Sequence, residues 1–220
     1  MAVQTFDQVA KTNNRLIRRG RRGVMLLKKY DPATEAPTQA WTEAGGLMIP
    51  AGFESSGLLK KDDGVEWEKD LEVTESESVG FGDATRIDLE KEETTFSYTA
   101  QESKRINIEL YQGRDLSSVT TDSEGNVYWD APPVPSMQEW HVLQLFADGV
   151  GANAIYFMRY VPLARVTDIA SQKFATNEDV EWGVTLKGVT DPNVGTAVRE
   201  IWGGPGLPHE AMGFQPPAGA

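Results

Sequence analysis

His141 and His209 are the chain's only histidines and there is no cysteine, so thiolate nucleophiles, thiolate zinc sites and disulfides are excluded together. His141 follows Trp140 in an apolar run, which favours a structural role over proton transfer. No Gly-x-Ser-x-Gly elbow, phosphate-binding loop or His-Glu-x-x-His pair occurs. Gly149-Val150-Gly151 is the best dinucleotide-binding lookalike, but a β-rich run follows where a helix is required, so it reads as a hairpin turn. Asp122, Glu124 and Asn126 imitate a calcium loop whose glycine is misplaced and whose bidentate glutamate is missing; a solvated turn fits better. Glu90 to Glu93 and Asp62-Asp63 could supply paired carboxylates, yet both lie among lysines in polar turns or strand ends, as a solvated face does. The expectation is a non-enzyme with no catalytic residue, cofactor or metal.

Arginine is the other chemically loaded residue. Lys11, Arg15, Arg18, Arg19, Arg21, Arg22, Lys28 and Lys29 follow one another with no acid between them; the net charge is −12, and setting that +8 aside leaves −20 elsewhere. A basic arm on an acidic body predicts copies docking head to tail. A merely solvated arm is one alternative; nucleic-acid binding by phosphate neutralisation is another, but the arm has no aromatic residue for base stacking between Asp7 and Lys29, and the acidic body opposes DNA.

The elements that position these residues are mostly strands. After the turn Asp62-Asp63-Gly64, Val65, Trp67, Leu71 and Val73 alternate with Glu66, Glu68, Glu72 and Thr74, the period of a strand with one wet face. A Gly-Phe-Gly break at 80–82 precedes two more expected strands, 86–90 and 95–99. Thr99-Ala100-Gln101-Glu102 has the form of a capping box, Ile106 and Leu110 stand four apart, and Gly113 sits where a C-terminal cap belongs, predicting a helix of about three turns. Further strands are expected at 47–50, at 127–129 ended by Pro132, Pro133 and Pro135, at 140–146, at 154–161 ended by Pro162, at 164–169 and at 179–186. About eight strands and one main helix predict a mainly β fold, a β-sandwich or partly closed barrel.

This order resembles the major tail tube protein of long-tailed, siphovirus-type bacteriophages, especially those infecting actinobacteria. The resemblance rests on Gly57-Leu58-Leu59, Asp63-Gly64-Val65-Glu66-Trp67, the Gly80 to Arg86 connection, Glu102 to Gly113, and Val180-Glu181-Trp182-Gly183-Val184-Thr185-Leu186, and covers roughly residues 45–205. It implies a structural virion protein of the tail, assembled in the host cytoplasm, whose hexameric rings stack into a tube that delivers genomic DNA without binding it specifically. It also implies a tape measure protein in the lumen during assembly, and tail terminator and distal tail proteins at the ends. On this basis Arg15, Arg18, Arg19, Arg21, Arg22, Leu58, Leu59 and Trp67 are candidate inter-subunit contacts, and Glu66, Glu68, Asp88 and Glu90 are candidates for lining an acidic lumen.

The expected organisation is a basic arm and connector over 1–46, a β domain over 47–202, and a Gly/Pro-rich tail over 203–220 held by neighbouring copies. With 220 residues, 40% of them hydrophobic, the chain can bury one good core. It has no apolar run of about 18 residues and no leader-like N-terminus, so no membrane partner is expected. Two other classes fit a β-sandwich: a capsid decoration or minor tail protein, and a carbohydrate-active enzyme, which needs two carboxylates suitably spaced in a cleft.

Overall fold

The computed structural model describes residues 5–44, 46–131 and 136–215. In chain order it contains α1 (Phe6–Ala10), β1 (Arg22–Lys29), β2 (Trp41–Thr42), β3 (Gly46–Leu47), β4 (Glu54–Ser55), β5 (Val65–Ser76), β6 (Arg86–Ala100), α2 (Arg105–Gln112), β7 (Glu139–Asp148), β8 (Ile155–Ile169), β9 (Trp182–Val189) and β10 (Arg199–Gly203). Eight strands form one antiparallel sheet in the order β4-β1-β7-β8-β9-β6-β5, with β10 also paired to β8; β2 and β3 form a small separate ladder. The fold is mainly β with one main helix, and the large sheet stays open, ending in β4 and β5.

Apolar residues cover both faces of the sheet's centre. On one face Met25, Leu27, Trp140, Val142, Val161, Leu186 and Phe96 pack with Ile106 and Leu110 of α2. On the other, Leu143, Met158, Tyr160 and Ile201 pack under Ala36, Ala40 and Phe53 of the connector between β1 and β4. This explains why β1, expected to be part of a free arm, is a sheet strand: Val24 and Leu26 serve one core and Met25 and Leu27 the other, so its apolar run does not alternate.

Several expected boundaries move. The strands anticipated at 86–90 and 95–99 are one strand, β6, which carries Glu90 as an extra residue where the pairing shifts from Glu72↔Lys91 to Val73↔Leu89. Pro162 does not end its strand; it lies in β8 at a register break, between the pairs Val142↔Val161 and Trp140↔Ala164, where its missing N–H costs no ladder bond on that side. The capping box does not form, because Thr99 is still in β6, paired with Gly183, and the N-cap is Lys104. Glu102 instead accepts the backbone N–H of Leu58 at 2.7 Å. Gly113 does cap α2, with φ of 62°.

Val127 to Trp129 is not a strand; the Trp129 indole donates to Gln112 Oε1 at 2.7 Å and holds the segment beside α2. Pro132, Pro133 and Pro135 lie outside the described residues. Of the expected 47–50 strand only Leu47 is in a strand, the two-residue β3. Strand β10, unforeseen in the sequence, pairs Ile201 with Met158, and beyond it Gly206 N–H donates to Ala154 O at 3.0 Å. The start of the tail is therefore seated on its own chain rather than waiting for a neighbour.

A buried carboxylate locks α2 to the sheet. Glu109 is fully buried and accepts from Arg105 Nη1 at 2.6 Å and from the Leu116 backbone N–H at 2.8 Å, with Lys29 Nζ of β1 at 3.6 Å. Arg105 also bonds Glu54 of β4 at 3.2 Å. Lys29 pairs with Asp115, and with the Ser117 hydroxyl and N–H it holds the Asp115 carboxyl well below the usual range. Removing one partner of such a group leaves the others desolvated and unpaired. Glu109→Ala is therefore expected to lower unfolding free energy by about 3 kcal/mol or more in urea titrations, and Glu109→Gln by less, because the amide oxygen still accepts from Leu116.

Candidate interaction surface

The ribbon of β5 and β6 is longer than the sheet that carries it. β6 pairs with β9 only over Thr94–Ala100, whereas its ladder with β5 runs from Val65↔Tyr98 out to Ser76↔Arg86. Opposed residues of an antiparallel pair share a face, so the register sorts the ribbon's side chains. One face begins on the core with Trp67 stacked on Phe96 at 4.5 Å, and continues outward through Leu71, Val73, Ile87 and Leu89, interspersed with the ion pair Lys69–Glu92 and with Glu75. Those four are 52%, 50%, 63% and 57% exposed, since none of the described residues covers the outer half. The expected wet face is the other one. It carries Glu66, Glu68, Asp70 and Glu72 from β5 and Asp88 and Glu93 from β6.

The lumen candidates Glu66, Glu68 and Asp88 thus share this acidic face, while Glu90 is the bulge residue. Few bases offset the acids: Lys91 pairs with Glu93, Arg86 Nε lies 2.6 Å from Asp88, and Lys187 Nζ of β9 lies 2.7 Å from Glu93. Lys187 and Lys91 together hold the Glu93 carboxyl below its ordinary value.

The candidate contact residues fall in two places. Leu58 and Leu59 run beside the end of β6, with Gln101 N–H donating to Leu58 O at 2.9 Å; Leu58 is exposed and Leu59 half-buried against the core. Arg15, Arg18, Arg19, Arg21 and Arg22 lie along the segment entering β1. Part of it is fixed to its own body: Arg19 N–H donates to Asp148 Oδ2 at 3.4 Å and Arg22 Nη2 to Gly149 O at 3.2 Å. A Cβ at Gly20 or Gly23 would come within 2.8 or 2.2 Å of the Phe146 ring, so only glycine lets the backbone lie this close. Among the described residues none of the five arginines forms an ion pair with a carboxylate.

Trp67 lies where the sheet curls back on itself. Although two strands separate β5 from β8 in the sheet, the Arg159 guanidinium of β8 sits over the Trp67 ring at 4.6 Å and over Phe157 at 5.0 Å, and Arg159 Nε donates to Glu200 at 2.8 Å. Trp67, Phe146, Phe157 and Trp202 wall a groove of about 420 Å³ beside Arg18 and Arg19.

The groups with catalytic potential are placed otherwise. His141 is 2% exposed, 3.1 Å from the Tyr160 hydroxyl through Nδ1 and 3.0 Å from the Asp31 backbone through Nε2. Burial lowers its pKa, and burial pushes that of Tyr160 up to about 12. Buried Asp191 accepts the N–H groups of Asn193 and Val194 at 2.7 and 2.9 Å. Burial opposes its ionisation, but the Tyr30 hydroxyl and those N–H groups outweigh burial and keep its pKa low.

The trough on the acidic side of the sheet holds Glu66 and Asp168 at the ends of the row Glu66, Ser97, Thr185, Asp168. Three strand spacings put their backbones roughly 14 Å apart. Among the described residues no group of three His, Asp or Glu side chains is placed to hold a metal ion.

No protein-family profile matches the chain, and no curated protein matches it. Among solved structures, a chain from the cryo-EM structure of the anti-feeding prophage baseplate, 6-fold symmetrised, aligns over 87% of this chain and 98% of its own at 9% identity and a TM-score of 0.45. An Hcp protein crystal structure aligns over 83% and 98% at 11% identity and a TM-score of 0.29. At such scores and identities neither likeness bears on what the chain does.

The His141 cluster makes a signed prediction. The folded pKa is lowered below the unfolded value of about 6.5, so the unfolded chain binds more protons in the window beneath it. Stability is full above pH ~6.5 and falls as pH drops toward ~5, before ordinary carboxylates, at about 4, take up protons. Urea unfolding across this window is expected to show that slope in the wild type, and a flatter, lower profile in His141→Gln.

Proposed function

We propose that the chain is a non-catalytic structural subunit of a bacteriophage tail tube, building rings that stack into a hollow conduit for genomic DNA. The two-faced ribbon is the observation that supports this most: one face on which Leu71, Val73, Ile87 and Leu89 stand exposed among Lys69, Glu75 and Glu92, with none of the described residues covering them, and an opposite acidic face with few counter-charges. A ring satisfies both. Neighbouring copies cover Leu71, Val73, Ile87 and Leu89 and extend the sheet beyond its β4 and β5 edges into a closed barrel. The acids Glu66, Glu68 and Asp88, with Glu90, then line the lumen, where repulsion within a Debye length of about 8 Å keeps DNA sliding rather than adsorbed.

Six copies per ring, a tape measure protein in the lumen, terminator and distal tail proteins at the ends, and location in the virion tail after assembly in the host cytoplasm follow from the sequence resemblance. The unpaired arginines from Arg15 to Arg22, together with Leu58, Leu59 and Trp67, face adjacent copies in this arrangement; β1 and the connector after it belong to the body with β4 to β10, and only the segment before β1 and the tail beyond β10 are left to connect copies.

Negative-stain electron microscopy of the purified protein at low and high concentration tests the reading. Hollow tubes of uniform width are the expected result; monomers or isolated trimers at every concentration would sink it in favour of a decoration or minor tail protein. Leu89→Glu should change monomer stability by no more than about 0.5 kcal/mol, since the side chain is already solvated, yet abolish tubes.

A further inference from the structure

The loop joining β5 to β6 presents two bare apolar side chains, Val79 and Phe81, which are 104% and 71% exposed. The acids around them, Glu75, Glu77 and Asp83, have no ion-pair partner among the described residues. The groove beside the arm has the opposite character. Its walls are the rings of Trp67, Phe146, Phe157 and Trp202, and its rim carries Arg18 and Arg19. Three of its residues hold polar atoms without a partner among the described residues: Trp67 Nε1, Arg18 Nη2, and Oε1 of Gln144, which is 4% exposed. The groove's one acid, Asp148, is already engaged by the Arg19 backbone N–H. Its volume of about 420 Å³ lies within the range of sites that enclose a ligand, about 300–1,000 Å³.

We propose that the β5–β6 loop of one copy inserts Val79 and Phe81 into this groove on a second copy, with Glu75, Glu77 and Asp83 meeting Arg18 and Arg19. The inference rests on the self-associating reading above and names the contact that carries it. A molecule cannot fill its own groove: β5 leads away from Trp67 at about 3.3 Å per residue, so the loop starts roughly 30 Å off. Because knob and groove are different surfaces, the contact is heterologous and propagates from copy to copy, closing only if the rotation between copies allows.

Complementary defects test it with the full-length chain. Phe81→Glu spoils the knob and Trp202→Glu spoils the groove; these side chains are 71% and 37% exposed, and unchanged urea midpoints confirm that each variant folds. Should Trp202→Glu fail that check, Arg18→Glu with Arg19→Glu replaces it. Each variant alone is expected to associate at least about tenfold more weakly than wild type. An equimolar mixture should give heterodimers in sedimentation velocity, since one intact knob and one intact groove remain per pair. A mixture that stays monomeric while the wild type associates overturns the proposal, as does a wild type that never associates. The tube reading fails separately: heterodimers alongside a wild type that forms only irregular chains leave the contact standing without the tube. Phe81→Glu that builds tubes as well as wild type leaves the tube without this contact.

Discussion

The structure turns on a mismatch of strand lengths. β6 has β9 beside it only over Thr94–Ala100, yet stays paired with β5 out to Arg86. A two-stranded ribbon can satisfy the hydrogen bonds between its own strands but cannot bury its apolar side chains without a third layer. Leu71, Val73, Ile87 and Leu89 therefore continue the alternation that buries Phe96 while remaining in water themselves. β5 also ends the sheet, so its outer edge is free along its whole length.

The rest of the molecule is held together by polar as much as by apolar contacts. Glu109 fastens α2 to β1 and, through Arg105, to β4, while His141, Tyr160 and Asp31 pin the connector to the other face of the sheet. Both groups are buried and bonded, so each holds a geometry that apolar packing alone would leave looser. Elsewhere the curl of the sheet brings Trp67 of the edge strand against Arg159 of β8. The aromatic groove is a product of that curl, lined by residues from β5, β7, β8 and β10 and by the segment before β1.

On the tube reading the two parts divide the work. A rigid body presents a basic, aromatic-walled groove, and a projecting ribbon presents an apolar face and an acid-flanked knob. Charge sets which surfaces meet, and buried aromatic area sets how long they stay together. The chain-wide segregation of charge thereby has a local counterpart: the unpaired arginines stand on one side of the groove, and the unpaired acids lie on the ribbon and its tip.

The sequence by itself determined the class and much of the local grammar. Period-two alternation located β5 and β9, Gly113 marked the end of α2, and Gly149 to Gly151 marked the β7–β8 turn, because these depend on local backbone conformation and side-chain period. Tertiary structure decided what depends on distant partners. β1 was hidden because burial on both faces erases alternation. The breaks expected at Glu90 and Pro162 were bridged because a bulge or a register shift absorbs one residue without ending pairing. The capping box gave way because the β9 ladder held Thr99 in a strand. The acids Glu66, Glu68 and Asp88 were visible in the sequence, but only the register between β5 and β6 put them on one face, and only the curl of the sheet joined Trp67 to the arginines of the arm.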